Sequence, residues 1–126
     1  MTQPISSFME RHVWSVDMED TIAAVEALFV RQSLSWAPVL ESKRTIVGAI
    51  SASDLLQFHA LGQDPNAVRA WQRCTYKPIT VSPDMPVSEV ARLMIERKIH
   101  HVVVIDSAGI VGVVSSFDFV RTFVRD

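Results

Sequence analysis

One cysteine, four scattered glycines and no long apolar run are what this 126-residue chain conspicuously offers little of. A lone Cys74 permits no internal disulfide, and a reducing cytoplasm is the simplest setting for it. Without clustered glycines there is no Gly-rich phosphate loop and no Gly-x-Ser-x-Gly elbow. Twelve Lys and Arg against fourteen Asp and Glu leave a net charge of −2, which removes the electrostatic case for nucleic acid. The apolar run Val102 to Ile105 stops at Asp106, far short of a membrane span. The opening Met1-Thr2-Gln3-Pro4 lacks the basic-then-apolar pattern of a signal peptide. No Cys, Asp or Glu accompanies the adjacent pair His100-His101 at ligand spacing, so no metal site is expected. Ser, His and Asp all occur, but no third partner completes a nucleophile, and the chain is read as no enzyme, with no catalytic residue. Its 48% hydrophobic and 21% charged residues suit one folded module with a single core, not a disordered segment.

What the chain does have, it has twice. Val39-Leu40-Glu41, a polar hairpin, and Ile46-Val47-Gly48-Ala49-Ile50-Ser51-Ala52-Ser53-Asp54-Leu55-Leu56 return as Val104-Ile105-Asp106, a polar hairpin, and Ile110-Val111-Gly112-Val113-Val114-Ser115-Ser116-Phe117-Asp118-Phe119-Val120. A matching helical stretch precedes each block, Ile22 to Phe29 and Val87 to Met94. The offset is 65 residues before the hairpin (104 − 39) and 64 after it (110 − 46), so the turn has gained or lost one residue. A long repeat used only twice predicts two similar units about a pseudo-two-fold axis, because a solenoid needs at least three copies to bury its faces. The copies divide at residues 1–62 and 63–126.

Each copy reads as strand, helix, strand, hairpin, strand, helix: an α/β (α+β) fold of tandem β-α-β-β-α units. In the second, Ile79-Thr80-Val81 is a short β-branched strand, and Pro86 is placed as a first helical residue. Val87, Val90, Leu93 and Met94 follow at helical spacing. His101 to Ile105 and Ile110 to Val114 form the hairpin, and Ser115 opens the last helix. In the first copy the short strand is Trp14-Ser15-Val16, Asp20 is the expected N-cap of a helix running through Ser33, and Ala37–Leu40 pairs with Thr45–Ile50. Ser51 opens a helix to about Leu61, capped by Gly62. Short helices are expected at Ile5–Glu10 and Asn66–Arg73, which put Met9 and Cys74 at matching positions, each a buried apolar contact.

Two readings compete at Ser51-Ala52-Ser53-Asp54 and Ser115-Ser116-Phe117-Asp118. In one, they are capping boxes: the serine hydroxyl accepts from the amide three residues on, and the Asp reaches back to the serine amide. In the other, the same helix start takes a phosphate while the carboxylate one turn in accepts the two hydroxyls of a ribose. Local spacing does not choose between them. His100 and His101, ahead of a buried strand, read either as solvated strand-entry histidines or as an imidazole contact to phosphate that strengthens on protonation near neutrality.

The doubled Gly-x-x-Ser-x-x-Asp after a hydrophobic strand resembles a cystathionine-β-synthase (CBS) domain pair, or Bateman module. The stretches Tyr76-Lys77-Pro78-Ile79-Thr80-Val81-Ser82-Pro83-Asp84 and Arg97 through Asp106 also look like members of that family, similar to repeats of the γ regulatory subunit of the AMP-activated protein kinase. The resemblance covers roughly Ile5 to Val124. It implies a regulatory module that binds adenosine-containing ligands (AMP, ADP, ATP or S-adenosylmethionine) in clefts between the repeats and signals to a partner protein, with no required cofactor. It further implies that Asp118 and Asp54 hold ribose hydroxyls, that Ser115 and Ser51 lie near phosphate, and that His100 and His101 neutralise it. Adenine contacts map to Met9, Trp14, Leu34 and Ser35 for the Asp118 site, and to Cys74, Ile79, Ile99 and His100 for the Asp54 site. Ser35-Trp36 replaces the histidine pair in the first copy, so unequal sites are expected, the Asp118 side suiting a phosphorylated ligand. The alternative is an assembly module whose Ser-x-x-Asp motifs only cap helices. It would form a homodimer through Leu55, Leu56, Phe58, Phe119, Val120 and Phe123.

Overall fold

The computed structural model describes residues 2–75 and 78–124; Tyr76 and Lys77, quoted above in the family-like stretch, lie outside the described residues. It is a mixed α+β structure with two three-stranded sheets, ordered β1-β2-β3 and β4-β5-β6. The strands are β1 (Val16–Asp17), β2 (Trp36–Glu41), β3 (Thr45–Ser51), β4 (Thr80–Val81), β5 (His101–Asp106) and β6 (Gly109–Ser115). The helices are α1 (Ile22–Gln32), α2 (Ala52–Ala60), α3 (Ala70–Arg73), α4 (Val87–Arg97) and α5 (Ser116–Val124). Two compact units result. One is contiguous, Trp14–Pro78; the other is split, joining Met1–Val13 to Ile79–Asp126.

In the contiguous unit β2 pairs antiparallel with β3 and parallel with β1, in register Val16 with Val39. Ile22, Val25 and Phe29 of α1 pack with Val39, Ile50, Leu55 and Phe58. The segment after α2 returns to this core: Ala70 is buried, its amide donates to Asp20 O at 2.8 Å, and Thr75 N donates to Ala49 O at 2.9 Å. The split unit repeats the plan with foreign material from the front of the chain. Ile5 N donates to Met85 O at 2.8 Å, Val87 N to Gln3 O at 2.9 Å, and Glu10 exchanges both backbone bonds with Val113. Val102, Val103 and Val104 are fully buried, as a strand covered on both faces requires. Each such valine stabilises by about 1.5–3 kcal/mol over an exposed one.

The extra hairpin residue falls where the offset placed it. Ser42 and Lys43 carry positive φ angles of 53° and 61° in the first turn, whereas Gly109, at 121°, closes the second. Several boundaries differ from expectation. The N-cap of α1 is Thr21, whose hydroxyl accepts from Ala24 N at 3.1 Å; the Asp20 carboxylate instead takes Asp17 N at 2.9 Å and ties the turn after β1. That helix stops at Gln32, with Ser33 in a left-handed cap matched by Lys98 after α4. Pro86 is an N-cap in extended conformation and not a helical residue. The connecting helix is only Ala70–Arg73, because Asp64 closes a turn by accepting Asn66 N. Ile5–Glu10 reduces to one 3-10 turn, Ile5–Ser7, as Glu10 bridges to Val113. The short strands are Val16–Asp17 and Thr80–Val81, leaving Trp14 and Ile79 outside them.

Candidate functional site

Both Ser-x-x-Asp motifs form at the junction of a hairpin strand and a helix. Ser51 ends β3 and caps α2: its hydroxyl accepts from Asp54 N at 3.1 Å, and Asp54 Oδ2 accepts from Ser51 N at 2.8 Å. Ser115 ends β6 and does the same for α5, at 3.3 Å from Asp118 N and 2.8 Å between Ser115 N and Asp118 Oδ2. The capping boxes are therefore real in both units. They engage one carboxylate oxygen, Oδ2, and leave the question of ligand binding to the other, Oδ1.

The surroundings of the two carboxylates differ. In the split unit Asp118 Oδ1 is ion-paired with Arg121, one turn further along α5. The Asp118 side chain is only 13% exposed, whereas Arg121 is 60% exposed and lies over the Phe117 ring at 5.1 Å. A polar depression of about 220 Å³ opens here, lined by Ser7, Phe8, Asp118, Arg121 and Thr122. Sequence reasoning passed over Arg121; its three-residue spacing from Asp118 was the available signal.

His101 stands opposite Ser115 in the β5–β6 register. Burial, helped by the neighbouring His100, pushes its pKa down to about 4, and the Asp118 charge only partly offsets this. His101 is therefore a neutral imidazole at physiological pH. That corrects the expectation of a cation titrating near neutrality. His100 is exposed, and its carbonyl accepts from Ser116 N at 2.9 Å, fixing where β5 meets α5. Met9 is buried against Gly112, while Ile79 and Ile99 are half-buried on the same core.

The contiguous unit holds the remaining expected residues. Leu34 is half-buried against its core, Ser35 is exposed with its carbonyl accepting from Ala52 N, and Trp14 is 37% exposed. Cys74 faces Gly48 as Met9 faces Gly112, confirming their equivalence. It is half-buried, not fully buried, and burial, with the Asp54 charge adding to it, raises its thiol pKa despite a backbone hydrogen bond. A raised pKa makes it a poor nucleophile. Gln57 takes the place of Arg121 beside Asp54.

The expected dimer face also divides. Leu55, Phe58 and Phe119 belong to the cores of their own units. Leu56, Val120 and Phe123 are exposed, at 73%, 50% and 70%. Between α4 and α5 runs an apolar groove of about 520 Å³ whose lining includes Met94, Ile95, Ile99, Val120 and Phe123.

A twofold β-α-β-β-α plan with a Ser-x-x-Asp cap at each hairpin-to-helix junction defines a tandem-repeat class of module. The CBS domain family model matches residues 5–60 and again 68–125, and the chain belongs to that family as a CBS pair. Among curated relatives, the inosine-5′-monophosphate dehydrogenase of Halobacterium salinarum is 34% identical over 98 residues, 77% of this chain but 19% of that enzyme. An uncharacterized Methanocaldococcus jannaschii protein is 21% identical over the whole chain, which spans 45% of it. The chain thus spans less than half the length of either. Of solved structures, the CBS domain of the bacterial CNNM/CorC family Mg2+ transporter in complex with ATP superposes with a TM-score of 0.86, at 25% identity, over 97% of this chain and 87% of that one. CBSX2 in complex with AMP gives 0.80 at 22% identity, covering 96% of each.

Proposed function

We propose that this CBS pair is a regulatory module that binds an adenosine-bearing ligand and passes the binding state to a partner protein. The observation that carries the reading is the twice-built Ser-x-x-Asp junction, which holds a half-buried carboxylate at the start of α2 and again of α5. Asp118 and Asp54 would take ribose hydroxyls, with Ser115, Ser51 and the exposed His100 near phosphate. The transporter CBS domain solved with ATP supports the ligand class. Among AMP, ADP and ATP we favour the less charged ligands at Asp118, since His101 is neutral and Arg121 is already paired with a carboxylate. S-adenosylmethionine suits the Asp54 side, where Gln57 and Ser35 bring no cation. No helix among the described residues is long and apolar enough to cross a membrane, and a lone thiol suits the cytoplasm.

Calorimetric titration of AMP, ADP, ATP and S-adenosylmethionine tests this, read alongside melting temperature. A ligand at a hundredfold excess over its dissociation constant adds about 2.7 kcal/mol of stability. Asp118→Ala is expected to lower the ligand-free melting temperature through the lost cap and to abolish the ligand-dependent rise. Retention of the full rise, or no heat with any ligand, refutes the reading.

A second reading rests on the groove between α4 and α5. Its exposed apolar wall suits a second copy of this chain, giving a homodimer through that face. Sedimentation of the same samples checks it, since the pure assembly reading requires a dimer indifferent to every ligand tried.

A further inference from the structure

Both oxygens of Asp118 are engaged by the protein itself: Oδ2 by the Ser115 amide, and Oδ1 by the Arg121 guanidinium. A vicinal diol presents two donors, and a carboxylate receives them best with both oxygens accessible. The Ser115 amide uses one lone pair of Oδ2 and leaves others, but a guanidinium on Oδ1 stands where a second hydroxyl would dock. Asp54 is the internal control, with the same Oδ2 contact and Gln57 in place of the arginine. In the same position the Arg121 guanidinium lies 5.1 Å from the centre of the exposed Phe117 ring, a cation–π contact made alongside the Asp118 pair.

Building on Asp118 as a sugar-binding carboxylate, we infer that Arg121 is a built-in competitor for the ligand's diol, seated on Oδ1 until an arriving ribose displaces it. A neutral nucleoside bears the whole cost of that displacement. A phosphorylated one gives the released guanidinium an anionic partner and recovers part of it. Arg121 is thus a specificity-determining residue that biases the Asp118 site toward a nucleoside monophosphate over the neutral nucleoside.

Calorimetry on the full chain, wild type against Arg121→Gln, decides the matter with three probes: adenosine, 2′,3′-dideoxyadenosine and AMP. Arg121 is largely exposed, so the variant is expected to fold, which circular dichroism verifies. An ion pair whose arginine is exposed predicts roughly a two- to fivefold gain in adenosine affinity. Dideoxyadenosine, lacking the diol, should show no gain, and AMP a smaller gain or a loss. Adenosine affinity unchanged or weakened, or an equal gain for the dideoxy compound, overturns the competitor role while Asp118→Ala still abolishes binding. If no probe binds either protein, or if binding ignores Asp118→Ala, the sugar-binding reading falls and takes the competitor role with it.

Discussion

Helix α2 sinks two side chains, Leu55 and Phe58, into the core of the contiguous unit, whereas α5 of the split unit sinks only Phe119. At the position equivalent to Phe58 stands Thr122, whose hydroxyl donates to the Asp118 carbonyl at 3.1 Å. The capping chemistry at the two helix starts is the same, but one helix is anchored by packing and the other is dressed with polar contacts around its carboxylate. Asp118 has an arginine, a polar depression and a nearby imidazole, while the equivalent of that imidazole, Trp36, is half-buried at the start of β2. Duplication preserved the frame, and the differences collect around the motif.

The sharpest way to break the comparison is through anchoring. Phe58→Ala removes a fully buried ring and is expected to cost about 3–5 kcal/mol. Thr122→Ala, at the equivalent place in α5, should cost under about 1.5 kcal/mol, the worth of one exposed hydrogen bond. Urea unfolding of both variants measures the gap; comparable losses would mean that the two helices are anchored alike.

Next come the glycines. A Cβ on Gly48 would meet the Thr75 carbonyl at 2.5 Å, backbone that cannot swing aside. One on Gly112 would meet chiefly the flexible end of Met9. Gly48→Ala should therefore cost about 1–3 kcal/mol, and Gly112→Ala distinctly less, because methionine repacks. Thermal melts rank the pair.

A further contrast concerns acid. His101 has its folded pKa pushed from 6.5 down to about 4, so between those values the unfolded chain binds the proton more readily. Its contribution to stability is present above pH 6.5 and is lost as pH falls toward 4. Replacing it by glutamine should flatten the urea midpoint across that window, and the ring's NMR titration should centre near 4. Trp36 gives the contiguous unit no such response. A midpoint near 6.5 for His101 would remove this difference between the units.

The hairpins, the capping boxes and the match of Met9 with Cys74 were legible in the sequence because each depends on local spacing and on a repeat that checks itself. Other features depend on tertiary geometry. Asp20 and Thr21 are both good caps on paper, and the choice falls to Thr21 only because the Asp20 carboxylate bonds back to Asp17 N. Asn66–Arg73 has helical composition but loses most of its helix to the turn that Asp64 closes. The charge state of His101 follows from burial, which no spacing reveals. Arg121 lay in plain view three residues after Asp118, yet an arginine at that interval on a helix faces solvent in most proteins. Only the placement of Asp118 gives it a carboxylate partner.

The split unit has a consequence for birth on the ribosome. All the pieces of the contiguous unit have been made once the chain reaches Pro78, but the segment ending at Val13 belongs with strands that begin only at Thr80. At roughly 5–20 residues per second, that leading segment emerges and then waits several seconds for its partners, with Ile5 and Met9 uncovered. Over that interval the segment around Ile5 and Met9 is open to misassociation, and a chaperone that holds it would protect the split unit until its strands are made.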